Sequence, residues 1–466
     1  MIQIQPNTEA AYRLFHDGTL ALARAEQQGM RIDLEYCEKK ERHLTRKIHR
    51  LEQNFINSKF YRRWAGSMRA RPNINSNPQL AYFLYEIEKI PPIKITATGK
   101  GATDEEALEK LNLPELNDIL EIRKLKKIRD TYLKGFVREQ INGQIHPSFN
   151  LHTVRTFRSS SDRPNFQNIP KRDKEAKRMI RKAIYPRRGH QLMEIDFGSL
   201  EVRIAACYHH DPTMMAYIRD PSTDMHGDMA KQIFKIKDFD KKLPEHALLR
   251  GAVKNGFVFP QFYGDYYKNC ALYIASNTWC RLPEGRWRKG QGVSMPGGKT
   301  ISDHLIRQGI KSTDDFVNHI RKIEQDFWGT RFPVYAEWKE EWWREYLKTG
   351  SINMLTGFTC YGVMGKNDCI NYPVQGSAFH CLLWGFIELD RYFEKNNFKT
   401  RLIGQIHDAV IFDVHPDELE KVIEVSRHIL IEKLPENWKW ICVPLEVEAE
   451  VGNVDESLDD LKPFYV

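Results

Sequence analysis

Two apolar segments that lie more than two hundred residues apart each carry an aspartate where a strand pattern ends. The first reads QLMEIDF and contains Asp196, and the second reads GQIHDAVIF and contains Asp408. Carboxylates at strand ends suit a pair of hard cations such as Mg²⁺, which take oxygen ligands and hold substrate phosphates. For that chemistry the two aspartates must meet, so the fold has to combine distant segments of the chain in one sheet.

Between these segments the sequence has Arg250 and Lys254, followed by Tyr263 and Gly264. Residues four positions apart project from one face of a helix, where two cations can grip a triphosphate. Together with the carboxylates they describe metal-assisted phosphoryl transfer, in which two ions clamp the attacking and the leaving oxygens. The pattern predicts a nucleotide polymerase.

The charge of the chain is a weaker signal of a polyanionic partner. The formal net charge is +8, and eleven basic residues against two acidic ones lie between Lys39 and Arg71. This stretch is either a solvated helix face or a surface for phosphate backbone, which would give sequence-independent and salt-sensitive affinity.

Cysteine spacing and hydropathy argue against a zinc protein and a membrane protein. The eight cysteines form no Cys-x-x-Cys pair, so a zinc site is not expected and reduced thiols are. The N-terminus has neither a charged nor an apolar leader region, and no run of 18 apolar residues exists. A soluble, cytoplasmic protein without membrane contact is expected.

Five motifs in order resemble those of the family A DNA polymerases, the bacterial polymerase I type. They are RSSSDRPNFQNIP at 158–170, the Asp196 segment, the Arg250 to Gly264 segment, NYPVQG at 371–376 and QIHD at 405–408. A lone His-Asp pair would mean nothing, but five ordered motifs make accidental agreement very improbable. The resemblance covers most of the chain and suggests a phage or mobile element in a bacterial cytoplasm as its source.

The resemblance implies a right-hand fold of the α/β (α+β) class, with an antiparallel palm sheet, a helical thumb and helical fingers. We expect four regions: an N-terminal helical region with the thumb at 1–150, the first part of the palm at 151–210, the fingers at 211–350 with an insertion at about 265–300, and the second part of the palm at 351–466.

The implied catalytic residues are Asp196, Asp408 and Lys254. By the resemblance, both aspartates bind two Mg²⁺ ions, for which Mn²⁺ can substitute, and the Phe197 carbonyl adds a ligand. One ion would lower the pKa of the primer 3′-hydroxyl, and the other would neutralise charge on the leaving pyrophosphate. Lys254 would protonate that pyrophosphate.

The resemblance also implies a binding site for the incoming dNTP. Arg250, Lys254 and His226 would contact its phosphates. Glu201, with an aromatic neighbour, would fill the space that a ribose 2′-OH needs and so select deoxynucleotides. Tyr263 would stack at the templating position.

Six residues are expected to contact primer-template DNA by the same resemblance. Contacts near the primer terminus would pass partly through the minor groove, whose acceptors are degenerate among base pairs, so they would monitor geometry and not sequence. The six are Arg158, Asn165, Gln167, Arg172, Gln375 and His407.

The fingers segment departs from the family pattern by one residue. Family members have eight steps from the helix lysine to the tyrosine, whereas Lys254 to Tyr263 takes nine. Counting forward puts Val258 at the aromatic position that faces the sugar, and counting back puts Phe259 there. Phe259 is preferred, and Phe257 stays open.

Other departures concern the helix and the metal site. Pro260 removes a hydrogen bond and clashes with the carbonyl four residues back, which predicts a kinked fingers helix with altered closure. Ala409 stands where the family commonly has a third carboxylate, and Gly198 with Ser199 replaces a more polar pair. Residues 265–300 are rich in Trp, Gly, Lys and Arg and look like an insertion or a mobile loop.

We expect no proofreading exonuclease in this chain. About 150 residues precede Arg158, and the Asp33-Leu34-Glu35 sequence has the Asp-x-Glu form without partner motifs. Expected partners are primer-template DNA, dNTPs and an unidentified helicase, primase or single-strand binding protein, with the chain as a monomer. The rivals are a phage-type single-subunit RNA polymerase and a non-catalytic DNA-binding or replication-scaffold protein.

Overall fold

The central element of the fold is a five-stranded sheet that combines the two aspartate segments. The computed structural model describes residues 4–68, 71–92, 96, 99–111, 113–170, 173–279, 286–295, 297–406 and 408–464. The mixed α/β class and the antiparallel sheet are confirmed. Within those ranges no helix is both long and apolar enough to cross a membrane.

The first third of the chain is helical apart from two short strands. Asp33 caps the second helix, since its Oδ1 accepts a hydrogen bond of 2.8 Å from the Tyr36 N–H. π-helical turns follow the fourth helix at Tyr82–Ile87 and the sixth at Ile128–Leu133. The elements are α1 (Thr8–Gln28), β1 (Met30–Ile32), α2 (Leu34–Ile56), α3 (Lys59–Gly66), α4 (Asn77–Ala81), α5 (Glu105–Leu111), α6 (Pro114–Lys127), α7 (Lys134–Glu139) and β2 (Gln144–Ile145).

The next segment leads into the first aspartate strand. β1 lies between β2 and the strand at Ile184–Tyr185 in a small antiparallel sheet. The elements are β3 (Ser148–Asn150), β4 (Ser160–Asp162), α8 (Lys174–Arg181), β5 (Ile184–Tyr185), β6 (Gln191–Phe197) and α9 (Leu200–His209).

A helical region follows up to residue 349. Its elements are α10 (Pro212–Arg219), α11 (Met225–Phe234), α12 (Pro244–Val253), α13 (Phe259–Phe262), α14 (Tyr267–Trp279), β7 (Ser294–Met295), β8 (Lys299–Thr300), α15 (Ile301–Arg307), α16 (Thr313–Asp326) and α17 (Pro333–Thr349), with π-helical turns at Lys254–Val258 and Phe327–Arg331.

The expectation of a mobile loop at 265–300 is wrong for the first half of that stretch, which forms α14. Ala271, Ile274, Ala275 and Thr278 recur at helical spacing and are all buried, because α14 packs against α16. Two of the aromatic residues that suggested a surface insertion are buried: the ring centroids of Trp279 and Trp287 are 4.5 Å apart in the interior.

The last part of the chain completes the central sheet. The elements are β9 (Ser351–Asn353), β10 (Thr359–Tyr361), α18 (Lys366–Lys395), β11 (Arg401–Ile406), β12 (Ala409–Val414), α19 (Leu419–Arg427), α20 (Leu434–Asn437), β13 (Val447–Val451) and β14 (Lys462–Phe464), with 3₁₀ turns at Pro416–Glu418 and Leu458–Asp460. The strand order is β11-β12-β6-β13-β14, and every neighbouring pair is antiparallel.

Helix α1 belongs with this sheet and not with α2 to α7. It packs on α18 and β11, and a Cβ at Gly18 would lie 2.9 Å from the Leu383 side chain. Arg24 forms an ion pair with Asp390 near the end of α18. The predicted region 1–150 therefore contains two parts: α1, which packs on the central sheet and α18, and the group of helices from α2 to α7.

Candidate functional site

Of the two predicted metal-binding aspartates, Asp196 lies within β6 and Asp408 lies in the turn just before the neighbouring strand β12. β12 pairs with β6, and Ala409 is the register partner of Asp196. The Phe197 N–H donates to the Asp408 carbonyl oxygen at 3.3 Å. Asp408 occupies the turn between β11 and β12, so both aspartates are at the same end of the sheet.

The other neighbour of Asp196 across the sheet is a glutamate. On β13, Glu448 is the register partner of Asp196 and Glu450 that of Glu194. These side chains line a cavity of about 210 Å³ together with Arg181. Arg181 is 2% exposed and donates from Nη2 to Glu194 at 2.9 Å. Because Ala409 has no carboxylate, the acidic register partner of Asp196 across the sheet comes from β13.

Arg158 joins the Asp408 turn to the start of α9. Its Nη1 donates to Glu201 Oε1 at 3.2 Å and its Nη2 to Asp408 Oδ1 at 3.5 Å. Glu201 also accepts a hydrogen bond from the Tyr263 hydroxyl. Burial, and next the charge of Glu201, raise the pKa of Tyr263, so this phenol stays a donor. Three sequence-predicted residues thus meet beside Asp408.

A π-helical turn at Lys254–Val258 absorbs the additional residue of the fingers segment. The Phe259 N–H donates to the Lys254 carbonyl, five residues back, whereas the Tyr263 N–H donates to the Phe259 carbonyl, four residues back. Such a turn accommodates one extra residue within an otherwise α-helical segment. Pro260 lies where one register changes to the other.

The turn decides which phenylalanine faces the site. The Phe259 ring lies 5.4 Å from Lys254 Nζ and 5.6 Å from the His226 ring. Phe257 is fully buried and packs on Phe327 at 5.3 Å. Of the alternatives left open by the sequence, Phe259 shares the face of Lys254, and Phe257 belongs to the core.

Arg250 is held by an acidic residue that the sequence reasoning did not single out. Its Nε donates to Asp224 Oδ2 at 2.7 Å and its Nη2 to Asp224 Oδ1 at 2.9 Å. Burial by itself would raise the pKa of Asp224, but the hydrogen bonds from Arg250 and from the Gly227 N–H lower it overall. This bidentate pair fixes the guanidinium plane.

His226 lies beside this pair as a neutral imidazole. Burial, then Arg250 and Lys254, lower its pKa to about 4. Its Nδ1 is buried without a hydrogen-bond partner. A buried polar atom of this kind calls for a ligand, and here it lies among cations that suit an anion.

The remaining predicted DNA contacts fall into a polar network. The Gln167 Nε2 donates to Ser159 Oγ at 2.7 Å and to Gln405 Oε1 at 3.3 Å, and Ser159 Oγ donates to Gln405 at 2.8 Å. Asn165 instead accepts from the Asn168 N–H at 3.1 Å, a local turn contact.

The N-terminal half of α18 supports the end of α13. Asn371 Nδ2 donates to the Tyr263 carbonyl at 3.2 Å, and Asn367 Nδ2 donates to the Gly264 carbonyl at 3.3 Å. Gln375 lies one turn beyond Asn371 on the same helix and is half-buried. Tyr263 is therefore held from both sides, through its hydroxyl and through its carbonyl.

The structure brings together Asp196, Asp408, Arg158, Glu201 and Tyr263 in one group, and a second group surrounds Arg250. Arg172 and His407 lie outside the described residues. Four residues that contact the site were not predicted from the sequence: Ser159, Asp224, Asn371 and Gln405. Two of them had a sequence signal, since Asp224 precedes the predicted His226 by two residues and Gln405 is the first residue of the QIHD motif.

Comparison with known proteins yields one family. The sequence profile of DNA polymerase family A matches residues 34–267 and 361–457. DNA polymerase I of Lactococcus lactis subsp. lactis is 28% identical over 384 residues, which are 82% of this chain and 39% of that protein. DNA polymerase I of Geobacillus stearothermophilus is 26% identical over 437 residues, 92% of this chain and 44% of that protein. The chain thus spans less than half the length of these relatives.

A solved structure shares the fold. The POL domain of Pol1 from M. smegmatis, in complex with DNA primer-template and dNTP, superposes with a TM-score of 0.73 at 24% identity. The likeness covers 96% of this chain and 70% of that one. The predicted right-hand arrangement of an antiparallel palm sheet with helical thumb and fingers agrees with this likeness.

Proposed function

Because the chain belongs to DNA polymerase family A, we propose that it extends a DNA primer along a DNA template with dNTPs. The resemblance inferred from the five motifs is thereby confirmed at the level of the family. The observation that carries the proposal is the placement of Asp196 on β6 and Asp408 in the turn before β12 at one end of the sheet, with Arg158, Glu201 and Tyr263 beside Asp408.

The donor set supports a pair of hard cations. Asp196 and Asp408 offer carboxylate oxygens and Phe197 its carbonyl, and Mg²⁺ or Mn²⁺ prefer such ligands. Mg²⁺ often takes one or two protein carboxylates and completes its shell with waters and substrate phosphates. When bound, two ions would activate the primer 3′-hydroxyl and neutralise the leaving pyrophosphate.

Arg250, Lys254 and His226 would bind the triphosphate. Arg250 presents a guanidinium whose orientation Asp224 fixes, and such forks recognise phosphate well. His226 is neutral and would form a hydrogen bond with a phosphate oxygen from a ring N–H. Lys254 would donate a proton to the pyrophosphate as the bond to the α-phosphate breaks.

Glu201 and Phe259 would select the sugar. Arg158 and Tyr263 orient the Glu201 carboxylate by two hydrogen bonds, so the side chain cannot move aside without losing both. A ribose 2′-OH placed against a fixed carboxylate and a ring would meet a steric barrier. Tyr263 itself would stack at the templating position.

Primer-template DNA would lie against Arg158, Gln167 and Gln375, with Arg172 and His407 as further candidates. The Ser159–Gln167–Gln405 network would keep amide groups oriented toward the minor groove. Asn165 has a turn contact and would contribute by shaping this segment. On α2, Lys39, Arg46 and Arg50 carry the phosphate-backbone hypothesis, whereas Arg42 pairs with Glu38 and Lys47 with Glu121.

We propose no editing role for the Asp-x-Glu sequence. Asp33 caps α2, and a carboxylate that accepts a backbone N–H at a helix start needs no metal to explain it. A primer with a mismatched 3′ end should then stay undegraded in the presence of Mg²⁺ and absence of dNTPs.

Extension of a labelled DNA primer on a DNA template, with Mg²⁺ and either dNTPs or rNTPs, tests the proposal. Asp408→Asn should lower the extension rate about 10³-fold, because several kcal/mol of charge stabilisation depend on the metal ligands. The matched control is Asp417→Asn, whose side chain is 88% exposed just beyond β12, and it should be unaffected.

The outcomes separate the three candidate functions. Extension with dNTPs alone, lost in Asp408→Asn, supports the polymerase and its metal site. Extension with rNTPs would overturn the assignment of Glu201 and favour an RNA polymerase. DNA binding without any extension would point to a scaffold protein.

A further inference from the structure

Two cysteines from distant parts of the chain lie side by side, apart from the residues assigned to the polymerase reaction. Cys207 is in the last turn of α9 and is fully buried, and Cys442 is in the loop between α20 and β13 and is half-buried. Their sulfur atoms are 3.8 Å apart. Among the described cysteines, Cys442 is the one that is not buried.

The surroundings of Cys442 favour its thiolate. His210 Nδ1 lies 3.8 Å from the Cys442 sulfur, and the Arg219 guanidinium donates to the Cys442 carbonyl at 3.2 Å. The hydrogen bond with Cys207 lowers the pKa of Cys442, helped by the charges of His210 and Arg219 against the effect of burial. The same hydrogen bond, and next burial, raise the pKa of Cys207. Burial raises the pKa of Cys37, Cys270 and Cys360 to about 12.

Arg203 keeps the two cysteines together. It lies one turn before Cys207 on α9, and its Nη1 donates to the Pro444 carbonyl at 2.5 Å. Its Nη2 pairs with Glu446 at 2.5 Å, and its Nε donates to the Gly198 carbonyl at 2.8 Å. The loop that carries Cys442 is thus fastened to the helix that carries Cys207, so their approach does not depend on sulfur contact alone.

We propose that Cys442 and Cys207 form a peroxide-oxidisable thiol pair, in which Cys442 is oxidised first and Cys207 resolves it to a disulfide. The Cys442 thiolate attacks one oxygen of hydrogen peroxide, the O–O bond breaks, and the products are a sulfenic acid and hydroxide, which takes a proton to become water. The Cys207 sulfur then loses its proton and attacks the sulfenic sulfur. The S–O bond breaks, a second water leaves, and the disulfide forms.

Geometry and composition favour this reaction over metal binding. A disulfide has an S–S distance of about 2.05 Å, so the sulfurs must approach by less than 2 Å from their 3.8 Å separation. Cys442 is in a loop, where a change of side-chain rotamer supplies most of that movement. His210 also approaches Cys442, but in the described ranges no set of three His, Cys, Asp or Glu side chains has an arrangement that could hold a metal ion.

The first experiment treats the folded, full-length chain with hydrogen peroxide, blocks remaining thiols with N-ethylmaleimide and maps the peptides by mass spectrometry. A Cys207–Cys442 cross-linked peptide that dithiothreitol removes is expected, and Cys360→Ala should leave its yield unchanged because Cys360 is buried elsewhere. Cys207→Ser should give oxidised Cys442 without the cross-link. A wild-type Cys442 that stays reduced, or oxidises without the cross-link, would overturn the proposal.

A second measurement needs no substitution. Iodoacetamide alkylates thiolates, so the pH dependence of its reaction with each cysteine reports the pKa of that thiol. The midpoint of the rate-pH curve for Cys442 in the native chain should lie below about 8.5, the pKa of an ordinary free thiol. A midpoint at or above that of a free thiol would contradict the assignment of Cys442 as the residue that is oxidised first.

Discussion

Asp224 is a positioning residue for Arg250, and its effect on nucleotide affinity can be predicted. Two hydrogen bonds to the carboxylate orient the guanidinium, and charge-assisted bonds of this kind contribute about 1.5–3 kcal/mol each. Asp224→Asn keeps the shape but loses the charge and one acceptor. We expect the KM for dNTP to rise about tenfold with kcat nearly unchanged, since Asp224 does not contact the reacting atoms. Steady-state single-nucleotide incorporation measures both constants.

The control for this substitution is a second acid on the same helix. Asp228 pairs with Lys231 and accepts a hydrogen bond from the Tyr217 hydroxyl, away from Arg250. Asp228→Asn should leave the KM for dNTP as it is. A KM that falls in Asp224→Asn would mean that the carboxylate competes with the triphosphate for Arg250, and the positioning role would be wrong.

At the scale of the element, Pro260 and the π-helical turn before it depend on each other. In a regular α-helix Pro260 would clash with the carbonyl four residues back, at a cost of about 3 kcal/mol. The π-helical turn already interrupts the regular pattern at this point. The change of helical register accommodates Pro260, and the kinked fingers helix stays a prediction, since proline and π-helical turns both bend helices.

Deleting Asn255, the exposed residue of this turn, should restore the eight-step spacing and force Pro260 into a regular helix. We expect the deletion alone to lower the free energy of unfolding by about 3 kcal/mol, and the same deletion with Pro260→Ala to recover most of it. Pro260→Ala in the full-length turn is the matched control and should change stability by less than about 1 kcal/mol. Urea denaturation of all three variants measures the coupling, and equal stability of the two deletion variants would refute it.

At the scale of the whole molecule, the sequence predicted those parts that depend on local pattern. The strands beside Asp196 and Asp408 were predictable because apolar runs and turn signals are local. Counting back from Tyr263 favoured Phe259 over Phe257, and the structure places Phe259 on the face of Lys254. The π-helical turn responsible was not predictable, because no sequence signal distinguishes it from a longer loop. The packing of α1 on α18 depends on contacts such as Gly18 with Leu383, which are distant in sequence and invisible to periodicity. The pairing of Asp224 with Arg250 is likewise tertiary.

Three buried histidines predict how the stability of the molecule depends on pH. Burial lowers the pKa of His209 and His380 to about 3 and that of His226 to about 4, whereas an unfolded chain has histidines with pKa about 6.5. Between these values the unfolded state binds protons that the folded state does not, so stability falls as the pH falls. From pH 7.5 to 5.5 each histidine should remove about 1.4 kcal/mol, about 4 kcal/mol in total.

Urea denaturation at these two pH values, followed by circular dichroism, measures the effect. His226→Gln should remove part of the pH dependence, because glutamine does not titrate. The remainder should persist, because His209 and His380 stay in place, as do His190 and His319, whose pKa values burial also lowers. His43→Gln, at an exposed position on α2, is the matched control and should leave the difference between the two pH values unchanged. A urea midpoint that stays constant or rises from pH 7.5 to 5.5 would show that these imidazoles are charged in the folded protein. His226 would then bind the triphosphate as a cation. Both the stability prediction and the assignment of His226 as a neutral hydrogen-bond donor would be wrong.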